Sequence, residues 1–129
     1  MRIERTEDDG LNVWWSGAGG ARSLRDLAWR SGYRVGQICV HLDCDERYFR
    51  RVFLRDVGMP PKNWLREERR RAAERRLAEG VPAWRVARDL GFADPSTFRR
   101  EFRAVHGVVP RRWRENGLAP VEAGGRRVE

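Results

Sequence analysis

Residues 91–113 read GFADPSTFRREFRAVHGVVPRRW, and the spacing within them predicts a tight turn, a helix and a stop. Asp94 followed by Pro95 is a helix start: an acceptor side chain for the first free amide groups, then a ring that the first turn tolerates. Phe98, Phe102 and Val105 stand at i, i+4 and i+7, which predicts one buried stripe. At about 100° per residue, Ser96, Arg99, Arg100 and Arg103 point the other way. Gly107-Val108-Val109-Pro110 ends the helix before Trp113. A helix anchored by two phenylalanines and presenting three arginines and a serine is suited to a DNA groove.

The same pattern occurs earlier in the chain. Shifted by 49 residues, Phe49 meets Phe98, Arg50-Arg51 meets Arg99-Arg100, and Phe53 meets Phe102. Gly58 then meets Gly107, Pro61 meets Pro110 and Trp64 meets Trp113. Upstream the shift is 48, with Ile38-Cys39 on Val86-Ala87 and Leu42 on Leu90, so the second turn is one residue longer. Aromatic, Gly, Pro and Trp matches in one register indicate a duplicated unit, two helix-turn-helix pairs in tandem.

Composition sets the bounds. At 129 residues the chain holds one or two small domains, short for an elaborate catalytic pocket. The net charge is +8, and Lys62 is the only lysine, so the excess is carried by arginine. Such a surface favours a polyanion, because neutralised phosphates release counterions. A GC-rich genome also enriches arginine, so placement has to decide. No apolar run is long enough for a membrane span and the first residues lack the order of a signal peptide, so the protein is expected to stay in the cytoplasm, associated with the nucleoid and with no membrane partner. Cys39 and Cys44 are too few and too close for a disulfide framework. With His41 they offer three potential metal ligands, but His106 is remote and no fourth is near, so they read as small buried side chains, with no metal and no cofactor. No Ser-His-Asp set, carboxylate pair or phosphate-binding glycine loop points to an enzyme.

In chain order, residues 1–22 resist assignment. Asp8-Asp9-Gly10 is a turn, Gly17 to Gly20 reads as flexible, and Trp14-Trp15 is an isolated aromatic pair expected to cover the core. Residues 23–61 form the first helix-turn-helix subdomain. Ser23 caps a helix over Leu24–Ser31 with Leu24, Leu27 and Ala28 inward, and a second helix over Val35–Leu42 buries Val35, Ile38, Cys39 and Leu42. A third runs from about Asp45 to Val57 with Phe49, Val52 and Phe53 inward and Arg47, Arg50 and Arg51 outward. Residues 62–79 make a linker helix with Trp64, Leu65, Ala72, Ala73 and Leu77 on one side. Its Arg66, Arg69, Arg70, Arg71, Arg75 and Arg76 are expected to pair mostly within the helix, with Glu67, Glu68, Glu74 and Glu79. Residues 80–117 form the second subdomain, and 118–129, with no periodicity, read as a disordered tail.

This pattern resembles the DNA-binding domain of AraC-type transcription regulators. The residues that carry the resemblance are Val86-Ala87, Gly91-Phe92, Phe98 to Phe102, and the ending Gly107, Pro110, Trp113 and Arg114. It covers about residues 23–116 and implies an all-α fold of about seven helices, in which the third and sixth enter successive major-groove segments about one helical turn apart. Carried over by position, the residues that meet base edges would be Arg47, Arg50 and Arg51 in the first unit and Pro95, Ser96, Arg99 and Arg100 in the second. Arginine pairs with guanine O6 and N7, so G·C pairs are expected beneath these helices. Thr97, Arg103, Arg111 and Arg112 would contact phosphates, which position without reading sequence.

The chain also departs from the family pattern. Asp43 stands where glycine is common, Cys39 takes a small-residue position, Gly36 weakens its helix, and Pro82 replaces a hydroxyl cap. Trp84 falls on an exposed position. Twenty-two residues before Ser23 are too few for a sensing domain, which resembles the short stand-alone members of the family. The resemblance thus implies a sequence-specific regulator of transcription that binds double-stranded DNA as a monomer at an asymmetric site, an activator that also touches RNA polymerase. The rival expectations are a non-specific nucleoid or architectural protein, and an interaction module using Trp14, Trp15 and Trp84 to antagonise another regulator.

Overall fold

The computed structural model describes residues 1–16 and 19–116; Gly17 and Ala18, and the tail expected over residues 118–129, lie outside the described residues. The chain divides into two compact units, the first spanning Met1–Arg69 and the second beginning at Arg70. Seven helices are found among the described residues, as expected, together with a small sheet that had not been assigned.

The first unit opens with strands β1 (Arg2–Arg5), β2 (Leu11–Trp14) and β3 (Arg22–Ser23), an antiparallel sheet in that order with Ile3 opposite Val13 and Asn12 opposite Ser23. The predicted turn at Asp8-Asp9-Gly10 joins β1 to β2, with Asp9 left-handed at φ 62°. Alternation along β2 sends Leu11 and Val13 inward, where they are buried with Ile3, and turns Trp14 outward. The tryptophan pair therefore splits. Trp15 packs on the core, whereas Trp14 stays exposed with the Arg2 guanidinium 5.6 Å from its ring centroid. The strands were hidden in the sequence because each is at most 4 residues and β1 buries only Ile3 among charged neighbours.

Helix α1 (Leu24–Arg30) is capped by Ser23, whose hydroxyl accepts from the Asp26 amide, and it buries Leu24, Leu27 and Ala28. Helix α2 (Val35–Leu42) buries Ile38, Cys39 and Leu42, while Val35, expected inside, is only half-buried near the helix start. Cys44 is half-buried beside this core, and burial pushes the Cys39 thiol up to about 12, so it stays protonated as a small apolar group. Asp43 closes α2 in the left-handed region at φ 51°, ψ 53°, a conformation that Asp tolerates. Helix α3 (Glu46–Val57) follows, burying Phe49, Val52 and Phe53 against Leu24, Leu27, Ile38 and the sheet residues in one core.

Helix α4 (Pro61–Ala78) begins at Pro61, one residue before the linker helix expected over residues 62–79. Its expected apolar side is buried at Trp64, Leu65, Ala72, Ala73 and Leu77. The charge pairing also reaches beyond the helix. Arg70 does pair with Glu74 at i, i+4, at 2.5 Å, but Glu68 bonds to Arg25 of α1 at 3.1 Å and Arg76 to Asp89 at 2.8 Å. The reason is helical phase: Glu68 lies at i+3 from Leu65, on the buried stripe, and is 2% exposed. A carboxylate so placed takes a cation from the element that covers it.

The second unit continues through α5 (Ala83–Asp89), α6 (Pro95–His106) and α7 (Pro110–Glu115). Val86, Ala87, Leu90, Phe98, Phe102 and Trp113 are buried. One expectation fails: Val105 is 43% exposed and His106, one residue on, is 5% exposed. His106 stacks on Phe102 with centroids 4.1 Å apart and stands 5.3 Å from the Trp113 ring, so α7 selects the far edge of the stripe. Its Nε2 lies 2.8 Å from Glu74 Oε1, a close contact whose alignment is poor for a hydrogen bond. Burial pushes the Glu74 carboxyl up, but His106 and Arg70 outweigh it and hold it below its ordinary value. The repeat held this signal, because Val57, packed on the first core, stands 49 positions before His106.

Candidate nucleic-acid interface

Helices α3 and α6 are built alike. Each starts at an aspartate whose carboxylate accepts a main-chain amide three residues on: Asp45 from Tyr48 at 3.0 Å, Asp94 from Thr97 at 2.8 Å. Each ends at a left-handed glycine, Gly58 at φ 88° and Gly107 at φ 77°, which needs no Cβ and lets the chain leave the helix. A proline then opens the following helix, Pro61 for α4 and Pro110 for α7. The aromatic anchor repeats as well. Phe53 lies 5.8 Å from Phe49 and 5.7 Å from Trp64, and Phe102 lies 5.8 Å from Phe98 and 5.4 Å from Trp113.

With one face held by two phenylalanines, the opposite face must meet solvent. On α3 it carries Arg47, Arg50 and Arg51, all exposed. Arg50 is ion-paired with Glu46 of the same helix, and the Arg51 guanidinium lies 5.7 Å from the Tyr48 ring centroid. On α6 that face carries Pro95, Ser96, Arg99, Arg100 and Arg103, all exposed. Arg99 approaches the Ser96 hydroxyl at 3.4 Å and Arg100 the Thr97 hydroxyl at 3.5 Å, long contacts that neutral hydroxyls hold weakly. Arg99, Arg100, Arg103, Ala104 and Val109 line an open groove of about 510 Å³.

The four residues expected at phosphates are placed differently from one another. Thr97 is half-buried, and its hydroxyl and amide both donate to Asp94. A phosphate could receive the hydroxyl only by replacing Asp94. Arg103 and Arg112 are exposed, and Arg111 is exposed while pairing with Glu115 at 3.3 Å. Arg114 folds back to the Gly80 carbonyl at 2.9 Å, a structural role. Leu54, missed at the sequence level, is 53% exposed one turn beyond Arg50 on α3 and occupies the position of Arg103 in the repeat. Trp84 is exposed as expected, with the Arg88 guanidinium 5.3 Å from its ring.

The two amide hydrogen bonds to Asp94, from Thr97 and Ser96, and the Thr97 hydroxyl hold its carboxyl below its ordinary value even though burial opposes them. A depressed carboxyl stabilises the fold above its unfolded value and loses that contribution as pH falls through the folded one. Thermal melts of Asp94→Ala should therefore run below wild type at neutral pH and converge with it as the pH is lowered below the ordinary carboxylate range. A constant gap at every pH would show that the cap is not the source.

These features place the chain in a family. A family model described as a helix-turn-helix domain matches residues 38–116, and the chain belongs to the AraC-type helix-turn-helix family of DNA-binding transcription regulators. That family is not one of enzymes. The fold is similar to the crystal structure of the C-terminal domain of the two-component response regulator yesN from Fusobacterium nucleatum subsp. nucleatum, with a TM-score of 0.60 and 19% identity over 70% of this chain and 90% of that one. No curated protein matches the chain. No described helix is long and apolar enough to cross a membrane.

Proposed function

We propose that this regulator binds an asymmetric duplex site as a monomer, α3 reading one major-groove segment and α6 the next. The observation that carries the reading is the duplicated helix, alike in cap, anchor, stop and outward arginine pair yet different at three outward positions: Glu46, Arg47 and Leu54 of α3 against Pro95, Ser96 and Arg103 of α6. Arg47, Arg50 and Arg51 face out of α3, whereas Pro95, Ser96, Arg99 and Arg100 face out of α6. Unlike readers require unlike half-sites, so the site is not a palindrome. Arginines meet guanine through paired hydrogen bonds, and Pro95 contributes only van der Waals contact. Arg103, Arg111 and Arg112 supply phosphate contacts, joined by Thr97 where its hydroxyl exchanges Asp94 for a phosphate oxygen. The action is activation with contact to RNA polymerase in the cytoplasm, a reading supported by the family alone.

Selection of bound sequences from a random duplex library at ~0.15 M salt, where non-specific affinity is weak, tests the proposal. One asymmetric motif of roughly 15 to 20 base pairs with two half-sites about a turn apart is expected. Bulk affinity with no enriched motif would instead identify an architectural protein. Arg112→Ala should weaken all duplexes alike and reduce the slope of log affinity against log salt by about 1. A change in base preference in that variant would move Arg112 from the phosphates to the bases.

A further inference from the structure

The two reading helices share their core residues but not their surroundings. Strand β1 lies against α3, and the strand together with Met1, which precedes it, is tied to that helix in three places. The Ile3 amide donates to Asp56 Oδ2 at 2.9 Å, Arg55 Nη2 donates to the Met1 carbonyl at 3.2 Å, and the Met1 nitrogen donates to the Tyr48 hydroxyl at 3.1 Å. Beneath these bonds Ile3, Leu11 and Val13 join Phe49, Val52 and Phe53 in one core. Asp56 is the centre of the arrangement. It holds the outward amide of an edge strand, which would otherwise lack a ladder partner, and it also pairs with Arg55 at 2.8 Å, with its own side chain 16% exposed.

The repeat supplies an independent observation. Shifted by 49, Tyr48, Arg55 and Asp56 fall on Thr97, Ala104 and Val105. Ala104 and Val105 carry no polar group that could reproduce the tie to a strand, and both are exposed on α6. The copies thus agree where a helix-turn-helix core is required and differ where β1 docks. The sheet also lies outside residues 38–116, which the family model covers. A short strand that buries Ile3 alone, and that with Met1 places three directed bonds on one helix, constrains that helix's rotation and axial position. Both matter to a reader, because Arg47 and Arg51 lie on the same helix and Arg51 packs over Tyr48, itself tied to Met1.

We propose that β1 is a brace that positions the first reading helix, with Asp56 the positioning residue through which it acts on base preference. This rests on the reading of α3 as a base-contacting helix. The test uses the full chain and compares base preference at each position of the selected site for wild type, Asp56→Ala, Asp56→Asn and Arg51→Ala, with a thermal melt of each. Asp56→Ala should lower preference within the half-site under α3 by about tenfold, the scale of one well-placed arginine contact, and leave the half-site under α6 unchanged. Asp56→Asn, which keeps an oxygen for the Ile3 amide, should recover most of that preference.

A purely structural role would lower the melting temperature and weaken every duplex in proportion, leaving the pattern of preference intact, and that result overturns the proposal. So does unchanged preference in Asp56→Ala when Arg51→Ala has altered the same half-site. If Arg51→Ala leaves the half-site unaltered, the reading of α3 itself fails. Should Asp56→Ala not fold, Arg55→Ala decides, since that side chain is 61% exposed and removable without touching the core. A loss confined to the first half-site supports the brace, and no loss overturns it.

Discussion

Phe102→Ala should destabilise the second unit by about 3–5 kcal/mol, the usual cost of emptying a buried phenylalanine site. The ring is 3% exposed and packs against three aromatic groups of that core: Phe98, His106 and Trp113 lie with ring centroids 5.8, 4.1 and 5.4 Å away. Little else could close the gap, because the other buried residues of the unit include the small Ala72, Ala73 and Ala87. A core of this size commonly sustains only a few kcal/mol, so the unit should be largely unfolded at 37 °C. Urea melts followed by circular dichroism and tryptophan fluorescence measure it. Val105→Ala is the matched control: with its side chain turned to solvent it should cost no more than about 0.5 kcal/mol. Equal losses in the two variants would restore Val105 to the core and contradict the placement of His106.

Arg100→Ala should relax base preference at one or two positions of the half-site under α6, at a cost of ~1 to 3 kcal/mol. Its side chain is exposed, it approaches the Thr97 hydroxyl at 3.5 Å and feels the Asp94 carboxylate only through solvent-exposed charge, and it borders the groove formed with Arg99 and Arg103. It therefore gives up little on binding, unlike Arg50, whose ion pair with Glu46 must be exchanged for a base. Competition binding with single-base variants of the selected site distinguishes the outcomes. A uniform loss across all duplexes would make Arg100 a phosphate contact.

Much of the candidate interface was legible before the fold was known, because its determinants are local. Asp45 and Asp94 cap amides three residues away, Gly58 and Gly107 permit left-handed exits, and the Phe pairs are one helical turn apart. Once these anchor one face, the outward direction of Arg47, Arg51, Arg99 and Arg100 follows from helix periodicity. Periodicity alone could not separate Val105 from His106, since both lie within one turn of Phe102 at the edge of the stripe. Nor could it show that the Thr97 hydroxyl is occupied by Asp94, whereas the Glu46–Arg50 pair and the exposure of Leu54, each at i, i+4 spacing from Arg50, lay within its reach.

By itself the sequence determined the duplicated helix-turn-helix, the linker helix and the arginine faces, since each depends on spacings of three, four or forty-nine residues that any reader of the chain can measure. Only the tertiary structure decided the sheet, the burial of Glu68 beside Arg25, and the choice of His106 as the core residue. Those features join groups far apart in sequence, such as Ile3 with Asp56 or Arg25 with Glu68, and strands of two to four residues carry too little alternation to announce themselves. Pairing of this kind exists only when the partner surface is present. The periodic elements specify what the chain can form, and the packing between remote elements selects which edge of each is buried.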